Sequence, residues 1–79
     1  MMLLLPKTVL DVLTHSGSVR IRAAGQMPDT MKQYAAAARS GGGFVEFVVG
    51  DALVMPQTMN EVSAAGAGHV RWDFVSQVV

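Results

Sequence analysis

The sequence predicts an α/β fold: three α-β repeats forming a short, solenoid-like, three-stranded parallel sheet with helices on one face. Three observations lead there. "MPDTMKQYAAA" (27–37) returns as "MPQTMNEVSAA" (55–65), and a looser copy, "LPKTVLDVLTH", starts at residue 5. Apolar residues follow each proline with helical spacing. After each helix come glycines and then a run that alternates apolar and polar.

The prolines set the units. Pro28 and Pro56 lie 28 positions apart, Pro6 lies 22 before Pro28, and these are the only prolines in the chain. Aligned on them, each unit reads large apolar, Pro, polar, Thr, apolar. The units run about 5–26, 27–54 and 55–79, within a single domain of 1–79. A proline at the first helical position loses nothing, since its missing N–H would have no partner there.

The first helix is expected to face inward through Val9, Val12, Leu13 and Ser16. The second does so through Met31, Tyr34, Ala35 and Ala38, and the third through Met59, Val62, Ser63 and Gly66. Asp29 and Glu61 are placed near helix starts, where they favour the dipole. Gly17, then Gly41-Gly42-Gly43, then Gly66 and Gly68 close the helices.

The strands are "SVRIRA" (18–23), "FVEFVV" (44–49) and "HVRWDF" (69–74). Val19, Ile21, Ala23, Val45, Phe47, Val49, Val70, Trp72 and Phe74 point inward, and Trp72 lies under the third helix. The other face carries Arg20, Arg22, Glu46, Arg71 and Asp73. Strands joined through a helix run parallel with right-handed crossovers. A charged strand face argues for helices on one side only, because doubly wound sheets read apolar on both faces.

"LPKTVLDVLTHSGSVRIRAAGQMP" resembles the proline-bearing form of a leucine-rich repeat. The matching positions are Leu5, Pro6, Val9, Val12, Val19 and Ile21. Met27, Pro28, Met31, Tyr34, Val45 and Phe47 match in the second unit, and Met55, Pro56, Met59, Val62, Val70 and Trp72 in the third. Spacing differs between units, alanines stand where leucines would, and no asparagine ladder follows the strands. The resemblance implies that partners bind on the strand face. On that face Arg20, Glu46 and Arg71 form one row, Arg22, Val48 and Asp73 the next, and Ser18, Phe44 and His69 the row before. Alternating charges on neighbouring strands also make a ladder that satisfies itself. Phe44 and Val48, apolar and flanked by charges, look instead like the centre of a contact surface.

Composition narrows the function classes. The 79 residues carry six basic and six acidic side chains, and 51% are apolar. Zero net charge, with Glu46 and Asp73 among the arginines, argues against nucleic acid. No cysteine is present, so neither disulfides nor thiolate metal sites are available. "MMLLLPKTVLDVL" lacks a basic segment before its apolar run, so no signal peptide is expected. No run has the length of a membrane span, and a cytoplasmic protein is expected.

Chemistry-bearing motifs are few. "RSGGGF" (39–44) reads helix, glycines, strand, the reverse of a phosphate loop, and is taken as a helix stop. His69, Asp73 and a serine have no spacing that fixes a triad. His15 and His69 read as surface residues, and most of the six methionines as core. No catalytic, metal or cofactor residues are assigned.

The expectation is a small non-enzymatic protein-interaction module, self-associating, that binds through its strand face or sheet edges. Arg20, Arg22, Phe44, Glu46, Arg71 and Asp73 would carry the contacts. "MMLLL" and "VSQVV" are not polar caps, which favours a homo-oligomer. Two alternatives remain open. One is a small-molecule or enzymatic site at the strand-to-helix loops, near Asp51 or Gly25. The other is a subunit or fragment of a larger repeat assembly.

Overall fold

The structure is a computed structural model that describes residues 6–50 and 53–74. The order is α1 (Pro6–Thr14), β1 (Val19–Arg22), α2 (Pro28–Gly41), β2 (Val45–Val48), α3 (Pro56–Gly66) and β3 (Val70–Asp73). The strands form a parallel sheet in the order β1-β2-β3. This is the expected α/β architecture. Crossovers of one hand through a sheet in sequential order bring their helices to the same face. Here α1 packs on α2 and α2 on α3.

Local chemistry fixes the helix starts. A residue before proline is driven into extended backbone. Met27 (φ −76°, ψ 146°) and Met55 (φ −68°, ψ 140°) both adopt it, so α2 and α3 begin at the proline itself. Neither start has a side-chain cap. The proline removes one N–H that would have needed a partner.

The helix ends are less uniform than expected. α2 stops as expected at Gly42, which is left-handed (φ 81°) and donates its N–H to the Ala38 carbonyl at 2.9 Å. α1 ends at Thr14, three residues before Gly17. Ser16 takes the left-handed conformation (φ 71°) and donates to Leu13 O, while Gly17 donates to Val12 O at 2.8 Å. These paired bonds close the helix in a Schellman motif. Ser16 is therefore a turn residue and not an inward helix position. Val12, also expected inside, is 42% exposed at this end. α3 ends at Gly66, with left-handed Ala67 (φ 46°) as its cap. Glu61 lies in the middle of α3, away from its start.

The core is built from the expected faces. Val9, Leu13, Met31, Tyr34, Ala35, Ala38, Val45, Phe47 and Val62 are buried in one cluster. Small residues bring the helices together: a Cβ built on Gly66 would stand 3.4 Å from that of Ala35. The edge strands bury less than β2. Trp72 is half-buried, 5.1 Å from Phe47 between ring centres, and its Nε1–H donates to Ser63 Oγ at 2.8 Å. The indole expected under α3 thus has its partner there. Phe74, expected inward, is 56% exposed just beyond the last strand residue. Met27 and Met55 are also exposed, so the methionines before the prolines are not core.

Across the helix layer Lys32 Nζ lies 2.8 Å from Glu61 Oε1, and Gln57 Nε2 donates to the same carboxylate at 3.2 Å. The lysine's hydrogen bond and then the glutamine's hold the Glu61 carboxyl below its usual range. The carboxylate in turn raises the Lys32 ammonium above its own. No helix among the described residues is long and apolar enough to cross a membrane.

Candidate functional site

The parallel register aligns Arg20 with Glu46 and Arg71, and Arg22 with Val48 and Asp73. Alternation then sends these side chains away from the helices. The two expected rows therefore lie side by side on the open face. One row earlier, the Phe44 N–H donates to Ser18 Oγ at 3.2 Å, and the Phe44 and His69 rings stand 5.7 Å apart. All six predicted contact residues are thereby collected on one surface.

Their couplings differ from a simple ladder. Arg20 reaches diagonally to Asp73, with Nη2 3.0 Å from Oδ2, and holds Glu46 only at 3.9 Å through Nε. Asp73 is the more deeply set partner, so this pair is better shielded from water than the one with Glu46. Arg71, whose register neighbour is Glu46, instead lies over Phe44, its guanidinium carbon 4.2 Å from the ring centre. That is cation–π distance, and an arginine on a ring face keeps its N–H edge open to a further acceptor. Arg71 forms no ion pair among the described residues.

Val48 does not join Phe44 in an exposed apolar centre. It is 3% exposed, although it lies on the open side. It sits on the central strand between the longer side chains of Arg22 and Asp73 in register. The apolar part of this face thus reduces to half-buried Phe44.

His69 closes the corner. Its Nδ1 is 2.7 Å from the Gly43 carbonyl. A carbonyl only accepts, so Nδ1 carries the proton. This bond fixes the ring beside Phe44. Asp73 is engaged with Arg20. The sequence identified His69 only as a surface residue. Its signal was its place in the row of Ser18 and Phe44.

A cleft of about 160 Å³ opens at this corner, lined by Ser18, Val19, Arg20, Phe44, Glu46 and Arg71. A second cavity, of about 350 Å³, lies at the opposite end of the strands, where β1 leads into α2. Gly25, Gln26, Met31, Val54 and Thr58 are among its lining residues. Its described lining carries no ionisable side chain. Asp51, the residue expected to mark a site there, falls outside the described residues. Among the described residues no group of three His, Asp or Glu side chains is placed to hold a metal ion.

The chain matches no protein-family model, no curated protein and no solved structure.

Proposed function

We propose that this chain is a small non-enzymatic interaction module that binds a protein partner through its open strand face. Arg20, Arg22, Phe44, Glu46, Arg71 and Asp73 form the surface, and its working centre is the corner of Phe44, His69 and Arg71. One observation carries this reading. Arg71 is stacked on Phe44 beside a cleft, while the neighbouring arginine is engaged by Asp73 and Glu46. An aromatic–arginine pair of this kind is typical of the residues that dominate protein interfaces. The resemblance to leucine-rich repeats points to the same face. Each edge strand of the described sheet has one strand neighbour, so a second copy of the chain is among the partners this architecture favours.

Charge reversal tests the proposal. With Arg20→Glu and Arg71→Glu combined, partner capture by the immobilised protein should fall at least about tenfold, as expected when charged interface groups are reversed. Circular dichroism should remain that of the parent, because both side chains lie outside the core. Lys7→Glu, at an exposed position on α1, should leave capture unchanged. Capture that survives the double reversal would remove this face as the site.

A further inference from the structure

The corner around Arg71 also indicates what kind of partner it takes. We infer that the cleft on the open face, lined from all three strands, receives the carboxylate of a glutamate or aspartate side chain from an acidic segment of a partner protein. This rests on the strand-face reading above and adds its chemistry.

The charge on the face is unevenly used. Arg20, Arg22 and Arg71 share the described face with Glu46 and Asp73, and Arg22 is itself engaged. Arg20 engages both carboxylates. Arg71 engages Phe44 and forms no ion pair among the described residues. Stacking on the ring fixes its planar head, and the guanidinium fork matches a carboxylate through two parallel bonds.

The neighbours of Arg71 suit an acceptor. Ser18 Oγ already accepts from the Phe44 N–H, so its own O–H is left to donate. Arg20 lines the same cleft. Glu46, on the central strand in register between the two arginines, lies 3.9 Å from Arg20 Nε, which leaves the guanidinium edge of Arg71 as the more favourable place for an incoming carboxylate. The cleft measures about 160 Å³. Small-molecule sites occupy roughly 300–1,000 Å³, so this one fits the end of a side chain better than a free ligand.

Two other features do not carry a comparable inference. The larger cavity near Gly25 is apolar, with nothing to specify an occupant. Among the described residues, no buried polar group is aimed at the bare starts of α2 and α3.

The test uses three capped pentapeptides, Gly-Ser-X-Ser-Gly, with X as glutamate, glutamine or lysine, at matched ionic strength. Each is titrated into isotope-labelled full-length protein while the Arg71 Nε–H and the Phe44 and Arg71 backbone amides are followed by NMR. The glutamate peptide should shift these signals saturably. The glutamine peptide should bind at least about tenfold more weakly, the loss expected for one charge-assisted contact. Arg71→Gln should abolish the difference between the two peptides. Arg71→Lys, which keeps the charge but not the fork, should reduce it. Equal binding of all three peptides at these signals would overturn the carboxylate inference and leave the strand face standing as an interaction surface. Glutamate-dependent shifts confined to the helix side would overturn both. No shift with any peptide would overturn the inference alone, since the charge-reversal experiment decides the strand-face reading independently.

Discussion

Replacing Gly41 by alanine is expected to destabilise the protein by about 3 kcal/mol or more, at the upper end for overpacking. Gly41 is the last residue of α2, and a Cβ there would collide with the Leu13 carbonyl and stand 3.0 Å from the Ser16 nitrogen. Those atoms are backbone in the last turn of α1 and its cap, so no rotamer change relieves the clash. The Ser16 hydroxyl, which donates to the Gly41 carbonyl, draws the two segments together at the same point. Gly42→Ala provides the contrast. Open space surrounds its Cβ position, and the penalty is that of a left-handed alanine, about 1 kcal/mol. Urea unfolding followed by circular dichroism should rank the parent above Gly42→Ala and Gly42→Ala above Gly41→Ala. An alanine at 41 as stable as one at 42 would mean that α1 and α2 do not approach this closely.

Phe47→Ala is expected to cost about 3–5 kcal/mol. Phe47 is fully buried on the central strand, among the largest side chains with no exposure, and its ring contacts Trp72. Domains of this size have a stability of about 5–10 kcal/mol, so the variant should be close to unfolding at room temperature. Trp72 is the sole tryptophan and reports the loss directly. Its emission should shift to the red, and the unfolding midpoint should fall. Phe47→Leu, which removes less volume, should lose clearly less. An alanine variant with the parent's midpoint would contradict the packing of β2 against the helices.

Much of this fold is legible in the sequence because its signals are local. A residue before proline is pushed out of the helical region, so Met27-Pro28 and Met55-Pro56 mark helix starts without any knowledge of the tertiary structure. Alternation in "SVRIRA", "FVEFVV" and "HVRWDF" identifies the strands and the two faces, although the strands themselves span only Val19–Arg22, Val45–Val48 and Val70–Asp73. The four inward positions of α2, Met31, Tyr34, Ala35 and Ala38, are all buried.

What was not legible depends on contacts between segments. The end of α1 turns on Ser16 adopting a left-handed conformation beside a glycine that does not, and this leaves Val12 at the surface. Gly41 reads in the sequence as part of a helix stop. Its second role, admitting the backbone of α1, exists only once the helices dock. Phe74 keeps the alternating pattern one residue past the last ladder pair, where it stays exposed. Val48 shows the converse case, a position on the open side that longer neighbours close over. The rows of the candidate site were legible from register alone. That Arg20 chooses Asp73, leaving Arg71 to Phe44, is a matter of side-chain reach across two strands.

The central claim is that the open strand face, and not the helix side, meets the partner. A photo-crosslinking residue tests it most directly. Phe44 would be replaced by p-benzoylphenylalanine, which keeps a phenyl ring on the strand face. The same residue would be placed at Gln33, exposed on α2. Irradiation of cells producing each variant, followed by mass analysis of the adducts, reads out which face is in contact and whether the partner is a second copy. A discrete adduct from position 44 and none from position 33 is the predicted result. An adduct from position 33 with none from position 44 would contradict the account.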